Sequence, residues 1–338
     1  MGAGSIGCFL GGMLATDPGI DVVFVGRERV GNELSEHGLK LVNLGASPIT
    51  AEKERYEFSS NVSSLADCHV VLCCVKSAQT EEVARAMAEV LPEDAVVASM
   101  QNGVRNVGVL REHLGTRQVL PGIVDFNVVS QGSGCFQRTM DGPLRTTRSS
   151  HAAWRTMTKA FAASGLTLIE DDDIGPEQWT KLLLNLNNAV SALSGAATPA
   201  LILSPEYRRV VAAILDEGIR VVRAAQIHPA KLRGIPVSWM PRILRLPTSI
   251  VRLVTRAQMS VDPEARSSMW EDLMRGRATE VDYLNGEVVA LAKRLGIAAP
   301  VNEAIVAMIR DAERAANGSP EISGPKLLAA VEAAARLQ

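Results

Sequence analysis

Several familiar signatures are missing from this sequence, and each absence removes a class of protein. Only five cysteines occur in 338 residues: Cys8, Cys68, Cys73, Cys74 and Cys135. An odd number without regular spacing excludes a disulfide framework and reads as reduced thiols of a cytoplasmic protein. The five histidines form no metal-ligand pattern. No uninterrupted apolar run approaches the roughly 18 residues that span a membrane. The apolar residues 8–14 imitate the core of a signal peptide but lack the basic residues that precede one. A net charge of −2 gives no general pull towards nucleic acid or an anionic surface. No zinc-finger spacing, RNP-type motif or Gly-x-Ser-x-Gly elbow is present. The expectation is a cytoplasmic protein with a small-molecule ligand and neither a nucleic-acid nor a membrane partner.

What remains is an ordinary globular composition, 47% hydrophobic and 21% charged, in a chain long enough for two cores. The first half alternates strand and helix signals. Residues 21–25, 70–75, 95–100 and 118–129 read as strands, and residues 80–91 and 106–114 as helices. This βαβ alternation predicts a parallel sheet covered by helices, with antiparallel hairpins at its edge over residues 132–144. From Pro176 onward helical patterns dominate, at residues 177–193, 205–225, 267–295 and 302–315. The acidic stretch Asp171-Asp172-Asp173-Ile174-Gly175-Pro176 suits the start of a helix. The predicted architecture is α/β over residues 1–172 and all-helical over residues 173–338.

The chain opens in Gly2-Ala3-Gly4-Ser5-Ile6-Gly7. In a Rossmann turn the first glycine permits the bend, the second admits a pyrophosphate, and the third lets helix and strand pack closely. The helix that follows points free N–H groups at the phosphates. Gly2, Gly4, Ser5, Ile6 and Gly7 are therefore candidate cofactor-binding residues. About 20 residues on, where an acidic residue would select NAD, the sequence reads Gly26-Arg27-Glu28-Arg29. Arg27 can grip a 2′-phosphate with two hydrogen bonds, which favours NADP. The motif should follow a strand, yet Met1 directly precedes Gly2. The expectation is a truncated or late-assigned start, with an in-frame apolar strand upstream.

Other segments resemble the ketopantoate reductase (2-dehydropantoate 2-reductase) family. They are Gln101-Asn102-Gly103, Trp179-Thr180-Lys181-Leu182 with Asn185, Ser267-Ser268-Met269, residues 279–286 (Thr-Glu-Val-Asp-Tyr-Leu-Asn-Gly) and residues 296–300 (Gly-Ile-Ala-Ala-Pro). The resemblance runs from the glycine loop to about Asn302. It implies NADPH-dependent reduction of a 2-oxo acid, ketopantoate to pantoate, on the route to coenzyme A. Lys181 matches the family's general acid, and Glu280 its glutamate near the nicotinamide and the substrate hydroxyl. Ser268 matches a serine that binds the substrate carboxylate, and Asn102 a residue between nicotinamide and substrate. A lysine partly removed from water gives up its proton more readily, and its charge stabilises the developing alkoxide. Asn185 and Asn188, four and seven residues on, share a helical face with Lys181. The family more often has its second asparagine eight residues after the lysine, where this chain has Ala189. Lys76, just after a strand, is a further candidate cofactor contact.

Residues 231–256 carry Lys231, Arg233, Arg242, Arg245, Arg252 and Arg256 with no acidic residue, and three prolines break any long helix there. An excursion packed over the helical domain is expected rather than a membrane-bound helix. Two other readings stay open: reduction of a different 2-oxo acid, and a non-catalytic NADP(H)-binding regulator. The oligomeric state is also open, a homodimer included.

Overall fold

A strand with apolar side chains on both faces must be covered on both faces. In the computed structural model, which describes residues 1–232, 234–254 and 266–337, Val96–Ser99 is such a strand, with all four residues buried. It pairs in parallel with Val70–Cys73 on one side and Gln118–Val124 on the other. Leu144–Thr147 runs antiparallel to Gln118–Val124, and Leu168–Asp171 runs parallel beyond it. Val71, Cys73, Val97 and Val119 belong to one core with Met87 and Leu110. Val96, Ala98 and Leu120 belong to a second, with Phe9, Leu10, Trp154 and Phe161. Alternate residues thus feed opposite helical layers, and Cys73 and Cys74 part to either side. Burial pushes the Cys8 and Cys74 thiols up to about 12, so neither is a thiolate at neutral pH.

Two expectations for this region need correction. Residues 118–129 are not one strand: the chain leaves the sheet after Val124. The cause is Phe126, which turns into the core, edge-on to Phe9 at 5.8 Å and 4.4 Å beneath the Arg138 guanidinium. Val128–Gly132 then pairs antiparallel with Cys135–Arg138, turning through Ser133 and Gly134 at φ 50° and 67°. This hairpin is not an edge of the parallel sheet. It joins Leu39–Val42 and Ile49–Ala51 in a separate four-stranded sheet.

The parallel sheet is also divided. Val22–Val25 pairs with Tyr56–Ser59, and these form a two-stranded sheet apart from the five-stranded one that ends in Val70–Cys73. Residues 1–3 lie across this division. The Met1 ammonium donates to the Leu72 carbonyl at 2.9 Å, and the Cys74 N–H donates to the Met1 carbonyl at 2.8 Å. On the other side the Gly2 and Ala3 N–H groups both donate to the Val25 carbonyl, at 2.8 and 3.1 Å. Beside them lies a hollow lined by Val22, Phe24, Val70, Leu72 and Met157 among others.

The chain separates into two compact units, Met1–Ile174 and Gly175–Gln338. Among its described residues the second unit is helical apart from one isolated bridge, Leu232 to Ile235. Its longest helix, Pro205–Ala224, packs against Gly175–Asn185, Asn188–Ser194, Asn285–Leu295, Pro300–Ala315 and Gly324–Ala335. Two spans read as single helices are each interrupted. Residues 177–193 break after Asn185, where the Leu186 and Asn187 N–H groups bond back only three residues. Residues 267–295 break at Gly276, whose φ of 58° ends Ser268–Met274 in a Schellman turn. There the Arg277 N–H bonds to the Asp272 carbonyl at 2.8 Å and the Gly276 N–H to the Leu273 carbonyl at 3.0 Å.

The proline-broken basic excursion packs on this unit, as its sequence suggests; Arg233 and Arg256 lie outside the described residues. Met240–Leu244 rests on Pro205–Ala224, and Thr248–Val254 on Thr198–Leu203. Arg208, only 3% exposed, fastens it. Its five N–H donors reach the carbonyls of Leu244, Leu246, Ile202 and Leu203 and the Thr248 hydroxyl, at 2.8 to 3.2 Å. No helix among the described residues is long and apolar enough to cross a membrane.

Candidate active site

The glycine loop is built so that side chains are excluded where backbone must pass. Gly2 sits at φ 91°, and a Cβ there would lie 2.6 Å from the Val75 nitrogen. A Cβ on Gly7 would lie 2.2 Å from the Gly2 carbonyl oxygen, so the first turn of the helix closes directly on the loop. Gly4 differs: it is exposed, with nothing within 4 Å of a Cβ position. It is the N-cap of Ser5–Leu14, a helix start with no side-chain cap and no acidic residue in its first turn. Open space over uncapped N–H groups at the positive end of a helix dipole fits a pyrophosphate.

Arg27 stands at the start of Glu28–His37, as its N-cap. The preceding Gly26 packs on the glycine loop, since a Cβ there would lie 2.6 Å from the Ala3 Cβ. Arg27 is exposed and makes no ion pair among the described residues, whereas Arg29 pairs with Glu33 at 3.9 Å. Its position one residue beyond the loop contact suits a group carried on the adenosine ribose.

Lys76 and Asn102 occupy the turns after neighbouring parallel strands, Val70–Cys73 and Val96–Ser99, where open α/β sheets bind ligands. Both are half-buried. Beneath them lies a buried hydrogen-bond network that the sequence did not disclose. The Gln101 amide donates to the Val75 carbonyl at 3.0 Å and to the Thr80 hydroxyl at 2.7 Å. Thr80 donates to the Asn106 side-chain oxygen, Oδ1, at 2.9 Å. The Asn106 amide donates to the Ser77 hydroxyl at 3.1 Å and to the Asn102 backbone carbonyl at 2.7 Å. The only signal available was the polarity of these residues beside two apolar strands.

In the helical unit, Lys181 and Asn185 share Gly175–Asn185, four residues apart and both half-buried. Thr180 anchors this helix through its hydroxyl, which reaches the Pro176 and Ala230 carbonyls at 3.0 and 2.8 Å. Asn188 does not continue that face; it opens the next helix, Asn188–Ser194, beyond the break. The reading of three residues on one helical stripe is therefore corrected to two. Tertiary bonds instead bring Asn188 to the Ser268 segment. The Ser267 hydroxyl donates to the Asn188 carbonyl at 3.0 Å and also accepts from the Trp270 N–H at 3.2 Å, starting Ser268–Met274. Ser268 itself is exposed. Glu280, half-buried, precedes the short turn Val281–Tyr283, which packs on Asn285–Leu295 and Pro300–Ala315.

A second buried network holds those helices. The Glu217 carboxylate, 3% exposed, accepts from the Val301 N–H at 3.0 Å. It also accepts from the Asn302 N–H and side-chain amide, both at 2.7 Å. It caps Pro300–Ala315 from a different helix, and the Asn285 amide donates to the Asn302 side-chain oxygen at 3.2 Å. Among the described residues, no group of three or more His, Cys, Asp and Glu side chains could hold a metal ion.

A glycine loop on a Rossmann-type sheet, followed by a helical unit bearing a lysine and asparagines, defines a class of dinucleotide-dependent oxidoreductases. The ketopantoate reductase PanE/ApbA family model matches residues 1–149, and its C-terminal counterpart matches residues 173–313. A 2-dehydropantoate 2-reductase of Archaeoglobus fulgidus is 30% identical over 324 residues, covering 93% of this chain and 96% of that protein. The crystal structure of a PanE/ApbA family ketopantoate reductase from Ralstonia eutropha superposes with a TM-score of 0.79 at 30% identity. It covers 94% of this chain and 98% of that one. D-mandelate dehydrogenase, solved with NADH and anilino(oxo)acetate, shares the fold with a TM-score of 0.76 at 21% identity, over 94% and 98% of the two chains. The chain belongs to the ketopantoate reductase family and is an oxidoreductase.

Proposed function

We propose that the protein reduces the keto group of 2-dehydropantoate to the hydroxyl of pantoate with NADPH. The observation that carries this reading is a family match through both units that includes the segments bearing Asn102, Lys181, Ser268 and Glu280. The glycine loop fits a dinucleotide, because Gly2 and Gly7 leave no room for side chains while Gly4 leaves its face open. Gly2, Gly4, Ser5, Ile6 and Gly7 would hold the pyrophosphate, Arg27 the 2′-phosphate, and Lys76 and Asn102 the nicotinamide end. The bound cofactor supplies the hydride.

Lys181 holds a proton for the carbonyl oxygen, and its positive charge favours the electron density that develops there. Asn185, one turn along the same helix, is placed to hold the same oxygen or its neighbour by hydrogen bonding. Ser268 donates to the substrate carboxylate, Glu280 orients the hydroxyl, and Asn102 aligns the keto carbon with the nicotinamide. Asn188 contributes from the start of a separate helix. That displacement favours a second reading, a pocket shaped for a different 2-oxo acid. NADPH oxidation measured across a panel of 2-oxo acids tests both. The highest kcat/KM is expected for ketopantoate; the absence of any preference for it would defeat the first reading and leave the second.

A further inference from the structure

The turn that carries Asn102 owes its shape to side chains buried beneath it. Its carbonyl is the shared acceptor of the Asn106 amide at 2.7 Å and the Ser77 hydroxyl at 3.2 Å. Those donors come from two different elements, the helix Asn106–Leu114 and the short turn Ser77–Gln79. The bonds run in one direction. Ser99 donates to the Gln101 side-chain oxygen, Oε1, at 3.0 Å, Gln101 to Thr80, Thr80 to Asn106 Oδ1, and Asn106 to the Asn102 backbone carbonyl. Each amide has its orientation set by its neighbours: both N–H groups of Gln101 and both of Asn106 are spent on named acceptors. Ser77, Thr80, Ser99, Gln101 and Asn106 are all less than 9% exposed. Buried amides that are fully satisfied rigidify what they touch, because any other arrangement leaves a polar group unpaired.

We infer that Thr80, Gln101 and Asn106 are positioning residues, which lock the turn after Val96–Ser99 to the turn after Val70–Cys73 and so fix Asn102 over the reacting carbonyl. The inference rests on the proposed role of Asn102. Thr80 is the link on which it turns, since its hydroxyl both accepts from Gln101 and donates to Asn106. Replacing that hydroxyl by a methyl of similar shape breaks the chain without opening a cavity. Gly103, at φ 87°, gives the Asn102 turn no restraint from a side chain of its own, so the network supplies it.

Thr80→Val, Thr80→Ser, Asn102→Ala and the Thr80→Val/Asn102→Ala double variant test it. Thr80→Val should lower kcat/KM for ketopantoate by roughly 10- to 100-fold, as expected for a slightly misplaced substrate group. NADPH affinity, read by fluorescence titration, should fall far less than kcat/KM, because the glycine loop and Arg27 hold the rest of the cofactor, and Thr80→Ser should restore activity. In the Asn102→Ala background the Thr80→Val loss should largely vanish, because the two act through one contact. A loss that persists there, or that falls equally on NADPH affinity, would mean a general structural role and overturn the inference. Hydrogen exchange at residues 101–103 separates this outcome from failure of the functional reading. If the wild type reduces no 2-oxo acid, faster exchange there in Thr80→Val but not Thr80→Ser still supports the lock. Unchanged exchange in Thr80→Val sinks it.

Discussion

The two units prepare their share of the chemistry by opposite means. In Met1–Ile174 the candidate ligand surface is mostly main chain: a loop free of side chains, a helix start, and turns at strand ends. In Gly175–Gln338 it is mostly side chain, presented from short helices that are fastened by Ser267, Thr180 and Glu217. Main-chain recognition suits a cofactor fragment shared by many enzymes, since every residue supplies the same N–H. Side-chain recognition suits the one substrate and its proton. Damage should therefore separate: changes in the second unit should strike turnover or stability, and changes in the glycine loop or at Arg27 should strike cofactor affinity.

Removal of the proposed proton donor is the harshest test of that division. Lys181→Ala should lower kcat by about 10²- to 10⁴-fold while NADPH affinity is retained; steady-state kinetics and a binding titration on the same preparation check it. A parallel loss of cofactor affinity would break the comparison. Glu217→Ala comes next, as it strands the Val301 and Asn302 donors in a buried site. A cost of about 3 kcal/mol, or roughly 6–12 °C in Tm, is expected by calorimetry. NADPH binding below the transition should be unaltered. The smallest effect belongs to the first unit. Arg27→Ser should weaken NADPH by roughly tenfold and leave NADH unchanged. Equal weakening of both would remove Arg27 from cofactor choice.

The same contrast explains what could be read from the sequence. Gly2, Gly4 and Gly7 were legible because their roles are local, and the apolar strands because burial on both faces leaves no polar position. The position of Arg27, just beyond the strand Val22–Val25, was legible from its distance along the chain. The helix break after Asn185 was not, since nothing in Leu186 or Asn187 announces that their N–H groups close three residues back. The break at Gly276 carried its sign in the glycine itself, which continuous apolar periodicity concealed. The Thr80–Gln101–Asn106 network was invisible for another reason: its members lie 21 and 26 residues apart and meet only once the parallel strands are paired.

Arg208 has a consequence for how this molecule can change. It grips the basic excursion through the carbonyls of Leu244 and Leu246, which any amino acid there would offer, and through a single hydroxyl on Thr248. Selection on that contact is blind to most side chains of the segment and sensitive only to where its backbone runs. Apart from the buried Val237, Pro241 and Val251, residues 234–254 are thus free to diverge in sequence while keeping their course, a ready place for related proteins to differ without disturbing the helices beneath. A lysine at 208, with three donors on one nitrogen, could not keep that grip.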